Sequence, residues 1–294
     1  MARSIGRVKF GVIITGGEAH EQVELARAAE TAEWDGVFTW DGIHVGDEIE
    51  TYDPWALIAA FASVTQRVIL GALIHPLPRR KPWEVARQAV TLDRLSDGRL
   101  VLPVGLGAAD DAGVTGFGEP GERRVRAERL DESLEILTGL WSGEPFEFHG
   151  RHYDFPGPLA FRPTPVQSPR IPIWVVGAWP SERSMGRVLR YDGWLPYWLS
   201  KRDDPDGLAR PDSPDQLAEV RDWIAARRSL EGFDIIVEGS TSMANPADAA
   251  SSVQAWADAG ATWWIEVDWS GFAVEPQRQR ITAGPPSGSR GPAA

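Results

Sequence analysis

The chain has no cysteine, which removes disulfides, thiolate nucleophiles and cysteine-ligated zinc or iron–sulfur centres. Basic charge is in deficit. Lys and Arg total 30 against 42 Asp and Glu, and the formal net charge of −12 argues against nucleic acid or an anionic membrane as partner. No apolar run approaches membrane-spanning length, and the opening MARSIGRVKF lacks the apolar core of a signal peptide. A cytoplasmic protein is the resulting expectation. Paired histidines on a strand, the mark of a metal-dependent barrel hydrolase, are also missing. His149 and His152 form the one close pair and fall in an irregular region, so no metal site is expected.

What the chain does have is the composition of a soluble globule with a full core, 43% hydrophobic and 24% charged. Its 294 residues suit a βα barrel folded as a single domain. The 14 Trp are many for this length. Some belong in the core, and several fall at expected strand ends, where they could wall a pocket for a flat ligand.

The stretch PWEVARQAVTLDRLSDGRLVLPVGLG, from Pro82 to Gly107, sets the pattern for the rest. Pro82 suits the first turn of a helix, where its missing N–H costs nothing. Trp83, Ala86, Ala89, Val90, Leu92 and Leu95 recur at helical spacing, and Gly98 suits a left-handed C-cap. Leu100, Val101 and Leu102 then run as a strand buried on both faces, ending at Gly105 and Gly107. A strand end without Cβ atoms lets a ligand lie against the backbone.

The same alternation runs through the chain. Strands are expected at Lys9 to Ile14, Gly36 to Trp40, Val68 to Ile74, Pro172 to Val176, Gly193 to Trp198, Ile235 to Val237 and Thr262 to Val267, with helices between them. With the strand ending at Gly107, this makes an α/β chain of the (β/α)₈ (TIM) barrel class. The rhythm breaks once, after the fourth strand, in an insertion of about 108–170. It carries one amphipathic helix, about Glu122 to Trp141, then Pro/Gly-rich material with aromatic runs at Phe146–Phe148 and Tyr153–Phe155. Long irregular segments of this kind are usually lids or binding loops. One domain over 1–294 is expected, with a disordered tail from about 284 to 294.

In such a barrel the active site lies at the carboxyl ends of the strands. That rule selects Asp41, His44, His75, Gly105, Gly107, Gly177, Ala178, Trp179, Trp198, Glu238, Glu266 and Asp268. Gly177 and Ala178 ahead of Ser181 read equally as a strand-to-helix turn or as free N–H groups facing a phosphate. Asp41 beside Trp40 is a candidate pocket carboxylate with a perturbed pKa. His75, Trp198, Glu238 and Glu266 are candidates for a substrate pocket. Arg79, Arg80 and Lys81 read as a solvated helix start or as a site for an anionic tail. Gly105-Leu106-Gly107 leads into Ala108 and Ala109, so the third glycine of a dinucleotide motif is missing. A glycosidase built on two carboxylates stays open on residue chemistry alone.

Several stretches in order resemble the bacterial-luciferase-like family of flavin- and deazaflavin-dependent oxidoreductases. They are WDGVFTWDG, Tyr52 to Gly107, RLDESLEILTGLWSGEPFEFHGRHY, PTPVQSPRIPIWVVGAWP, YDGWLP and DAGATWWIE, and RQRITAGPP is similar to the family's last helix. The resemblance implies a (β/α)₈ barrel with an insertion after strand four, and reduced FMN or coenzyme F420 bound over the barrel mouth. Carried over by position, it implies that Asp41 is the strand-two acid near the ring. Ala72 and Leu73 become the strand-three bulge behind it, and Gly105, Leu106, Gly107 and Ala108 the strand-four end. Gly177, Ala178 and Trp179 become the segment meeting the cofactor phosphate. Many relatives carry an Asp-His pair where this chain has Asp41-Gly42, so that histidine's proton-donor role does not transfer. Asp41 and His44 are the expected proton-transfer groups in its place. The Arg79–Lys81 cluster tips the choice slightly towards F420, with its acidic tail. The resemblance further implies a homodimer acting on a small organic substrate. Phe117, Phe146, Phe148, Tyr153 and Trp198 suggest an aromatic lid over an apolar or flat molecule. A non-catalytic flavin-binding subunit and a carboxylate-based hydrolase are the alternatives.

Overall fold

In the computed structural model the described residues are 7–108, 111–200 and 207–286. The chain begins β1 (Lys9–Ile13), α1 (Ala19–Thr31), β2 (Gly36–Thr39), α2 (Pro54–Val64), β3 (Ile69–Ala72), β4 (His75–Pro76) and α3 (Pro82–Leu95). It continues β5 (Leu102–Gly105), α4 (Ala112–Thr115), α5 (Arg123–Trp141), β6 (Pro145–His149) and β7 (Asp154–Ala160). Then come β8 (Ile173–Trp179), α6 (Glu182–Val188), β9 (Gly193–Leu199), β10 (Leu208–Ala209) and α7 (Pro214–Ala225). The last elements are β11 (Asp234–Gly239), α8 (Pro246–Asp258), β12 (Trp263–Glu266) and α9 (Val274–Thr282). Parallel strands alternating with helices give the α/β class expected from the sequence, of the (β/α)₈ barrel type. Contacts divide the residues into two compact units, one holding the chain up to Phe38 and from Trp174 onward, the other Thr39–Ile173.

In the first unit, β1 lies between β2 and β12, β11 between β12 and β9, and β9 beside β8, all parallel. These strands read as nearly unbroken apolar runs because both faces are covered. Phe38, Trp174 and Trp263 are fully buried, with ring centroids 5.4–6.1 Å apart. A buried side chain such as Phe38 contributes about 1.5–3 kcal/mol over leaving it in water. Trp34, at the exit of α1, is buried and donates its Nε1 to the Ile281 carbonyl at 2.9 Å, fixing α9 against α1. Of the tail expected from about 284, residues 284–286 are described, and Arg280 donates to the Gly284 carbonyl at 2.8 Å. The remainder lies outside the described residues.

In the second unit, β3 meets the start of the β5 segment through Leu70 and Leu100, and β4 pairs with β5, setting His75 beside Val104 and Pro76 beside Gly105. α3 packs between α2 and α5. Its C-cap follows expectation, with Gly98 at φ +79° donating its N–H to the Asp93 carbonyl at 2.8 Å. The insertion departs from the irregular reading. Its two aromatic runs pair as the antiparallel hairpin β6–β7, on which Phe146, Phe148 and Phe155 cluster. Phe146 sits where a Cβ on Gly139 of α5 would stand, 2.3 Å away. Glu132 of α5 accepts the N–H groups of Arg151, His152 and Tyr153 at the hairpin turn. Among the described residues no helix is long and apolar enough to cross a membrane.

Candidate functional site

The second unit gathers its chemistry around Asp41, two residues past β2. A 3₁₀ turn, Leu77–Arg79, precedes Pro82 at the head of α3 and delivers two arginines to that carboxylate. Arg79 donates Nη2 to Asp41 Oδ1 at 2.5 Å and to its carbonyl at 2.7 Å. Arg80 reaches both carboxylate oxygens, at 2.8 and 2.7 Å. The other arm of Arg79 donates to Asp111 at 2.5 Å. Asp111 is the N-cap of α4, accepting the Gly113 N–H at 2.8 Å, and it also accepts the N–H groups of Ile43 and His44. Arg79 therefore ties the loop after β2 to the start of the insertion through two carboxylates.

The side chains of Asp41, Arg79 and Asp111 are 2%, 5% and 3% exposed, so each charge needs a partner, and each has one. Burial works against ionising Asp41, but the His75 hydrogen bond and the Arg80 and Arg79 charges outweigh it and hold the carboxyl well below the usual range. Asp111 is lowered in the same way, burial being overcome by the N–H groups of His44 and Gly113 and by Arg79. His75 is fully buried and stacked on Trp55 with ring centroids 4.3 Å apart. Burial pushes its pKa down, only partly offset by Asp41. Its Nδ1 lies 3.4 Å from Asp41 Oδ2. An ionised carboxylate only accepts, so the proton sits on Nδ1 and the basic nitrogen is Nε2, which has no hydrogen-bond partner among the described residues.

A cavity of about 420 Å³ opens beside Asp41, walled by Ile43, Tyr52, Asp53, Arg80 and Phe117 among others. A Cβ on Gly42 would come 2.3 Å from the Trp40 ring, so the indole crowds any larger residue at this position.

The remaining expected residues of this unit fall in several places. The imidazole of His44 is half exposed and pairs with Asp47 at 3.3 Å; it is not brought to Asp41 as a proton-transfer group. Asp41, its pKa held low by His75, Arg80 and Arg79, stands in this cluster as a proton acceptor. Ala72 and Leu73 are buried, and the Leu73–Ile74 peptide is cis. Gly105 neighbours Pro76, while the carbonyls of Leu106 and Gly107 accept Arg126 Nη1 at 3.3 and 3.1 Å. Gly107 has φ +86°, a conformation that favours glycine, and it does not line the cavity at Asp41; Ala108 is exposed. Of the Arg79–Lys81 cluster, Arg79 is bonded to Asp41 and Asp111 and Arg80 to Asp41 through Nε and Nη2, while Lys81 is exposed. Of the expected lid, Phe117 lines the cavity, whereas Phe146 and Phe148 pack within the hairpin and Tyr153 against Trp83. Asp111 went unread in the sequence. Its one signal is an aspartate directly ahead of Ala112-Gly113, an N-cap pattern.

In the first unit, Gly177 is closed to a ligand on its side-chain face, since a Cβ there would meet Val188 at 2.5 Å and Trp194 at 2.6 Å. The Ala178 N–H is donated to Ser184 Oγ at 2.9 Å rather than left free. Trp179 packs edge-on to Trp223, and Trp198 tilts over Trp194. Glu238 pairs with Arg210 at 2.8 Å. Glu266 is buried, accepting the Thr241 N–H at 2.7 Å and Trp264 Nε1 at 2.9 Å, and pairs with Arg280 at 3.1 Å. It lines a separate cavity of about 260 Å³ that also includes Asp268.

The sequence profile of the family described as luciferase-like monooxygenase matches residues 8–288. A putative coenzyme F420-dependent oxidoreductase of Mycobacterium tuberculosis is 33% identical over 230 residues, 72% of this chain and 59% of that protein. Uncharacterized mycobacterial proteins are 36% identical over 163 residues, 51% of their length, so the chain spans about half the length of the curated relatives it matches. Among solved structures, the coenzyme F420-dependent tetrahydromethanopterin reductase of Methanopyrus kandleri superposes with a TM-score of 0.72 at 15% identity, covering 95% of this chain and 97% of that one. The oxygenating constituent of 3,6-diketocamphane monooxygenase from Pseudomonas putida, a type II Baeyer-Villiger enzyme in complex with FMN, gives 0.60 at 20% identity, covering 79% and 67%. Likeness at these identities speaks to the fold.

Proposed function

Since the chain belongs to the luciferase-like monooxygenase family, we propose that it is an oxidoreductase working with F420 or reduced FMN on a small organic substrate. The family match over nearly the whole chain carries this reading. F420-dependent proteins among its curated relatives favour that cofactor, in place of the argument from the Arg79–Lys81 cluster.

The residues at Asp41 fit the substrate of such a redox ring. A cavity of about 420 Å³ with Tyr52 and Phe117 on its wall falls in the range of roughly 300–1,000 Å³ usual for small-molecule sites. Behind Asp41, His75 keeps one buried ring nitrogen with no hydrogen-bond partner among the described residues. When bound, the cofactor supplies two-electron redox chemistry. The chain's own contribution begins with Asp41, which stays ionised, holds Arg79 and Arg80 in place, and orients His75 through Nδ1. For proton transfer we propose Asp41, which lines the cavity, with the neutral imidazole of His75 behind it as its acid–imidazole partner. A homodimer of one continuous domain is part of the proposal.

Titrating the purified protein with F420 and with FMN, followed by fluorescence quenching, tests the reading. Saturable binding of one cofactor at tens of micromolar or below is expected, about −6 kcal/mol or better. Binding of neither would remove it. A turnover that needs no chromophore would favour a hydrolase.

A further inference from the structure

The arginines at the Asp41 cavity carry no surplus positive charge. Arg79 spends one nitrogen on Asp41 and the other on Asp111, and Arg80 grips both oxygens of Asp41. Two more carboxylates reach the same wall. Asp53 caps α2 through the Ala56 N–H at 3.0 Å, and Glu119 is paired with Arg129 at 2.7 Å. Among the lining residues the acids Asp41, Asp53 and Glu119 outnumber the bases Arg79 and Arg80. An incoming phosphate or carboxylate would meet two guanidiniums already bonded to buried carboxylates, with Arg80 Nη1 as the arm left to it, and would face a wall whose acids outnumber its bases. The rest of the wall includes Ile43, Tyr52, Pro54 and Phe117, which offer apolar and aromatic surface.

We infer that this cavity accepts an uncharged, flat organic molecule, such as an aryl alcohol or ketone, and rejects phosphorylated and carboxylated ones. The inference rests on the oxidoreductase reading for the molecule's role as substrate and deepens that reading by naming its class. The discrimination is set by pairing: the carboxylates, Asp111 among them, turn two arginines into structural ties instead of an anion hole.

Calorimetric titration of the full chain without cofactor, using benzyl alcohol and benzyl phosphate as probes, tests it. Benzyl alcohol should bind at least about tenfold more tightly than benzyl phosphate. Asp111→Asn, which releases one nitrogen of Arg79, should narrow that gap by about tenfold. Should Asp111→Asn fail to fold by circular dichroism, Glu119→Gln removes a carboxylate from the wall and should shift the ratio the same way. Equal or tighter binding of benzyl phosphate to the native chain would overturn the inference. So would no binding of benzyl alcohol up to roughly 10 mM, or a ratio unmoved in a folded variant. The cofactor titration separates the two failures. Cofactor binding without charge discrimination defeats the substrate class alone, and discrimination without cofactor binding defeats the redox reading alone.

Discussion

The indole of Trp194 fills the space that a side chain on Gly177 would need, and its Nε1 donates to the Gly177 carbonyl at 3.1 Å. The relation recurs on neighbouring strands. A Cβ on Gly193 would meet Trp174 at 2.4 Å, and one on Gly239 would meet Trp264 at 2.3 Å. Each of these glycines is the counterpart of a large ring, a way of fitting many indoles into close-packed strands without voids.

Gly177→Ala should therefore overpack the first unit, where both nearest atoms belong to buried side chains. The expected loss is about 1–3 kcal/mol, read as a lower urea midpoint at unchanged slope. An unaltered midpoint would mean that Trp194 and Val188 have room to move.

The strand and helix order was legible because apolar period and caps are local signals. Pro82 heads α3, Gly98 closes it, and Asp53 with Pro54 opens α2, each where the residue types require. The site was legible only in part. Asp41 and His75 could be picked out as strand-end residues, but nothing local says that they face each other at 3.4 Å. Arg79 and Arg80 read as solvated charge or an anion site because their partners lie 32 to 39 positions away along the chain. Gly177 misled for a related reason. A missing side chain marks close approach without saying whether a ligand or an indole approaches.

Arg79→Met should be among the costliest single changes in the second unit. It leaves Asp111 with backbone donors alone and Asp41 with Arg80 and His75, both carboxylates still buried. Removing one partner of a buried pair costs about 3–5 kcal/mol. Arg79→Lys cannot span both carboxylates with a planar fork and should recover only part of that loss. Urea denaturation of the three proteins checks the order.

Stability should fall as the solution is acidified, in two separate windows. His75 has a lowered pKa in the folded chain, so below its unfolded value of about 6.5 the unfolded state takes up the proton first. The loss approaches at most about 1.4 kcal/mol per pH unit from this one group. Asp41 is also lowered, so its contribution is complete above about pH 3.9 and is lost as the pH falls towards its depressed folded pKa. Urea midpoints between pH 7 and 4.5 should thus decline through His75 alone of this pair, and His75→Gln should flatten that part of the profile. A profile unchanged in His75→Gln would assign the decline to other groups.

Gly42→His makes the Asp-His dipeptide that the family resemblance implies at this position and tests how far Trp40 crowds it. A Cβ at that position would come 2.3 Å from one carbon of the Trp40 ring and 3.0 Å from a second, so the histidine cannot enter while the indole stays. The single change should destabilise by about 1–3 kcal/mol, the usual cost of overpacking. Trp40→Ala alone should also destabilise, since the indole is half buried. Together the two should cost less than their sum, by a coupling of about 0.5–3 kcal/mol, because removing the ring makes room for the imidazole. Simple additivity in that cycle would mean the clash is relieved by backbone movement.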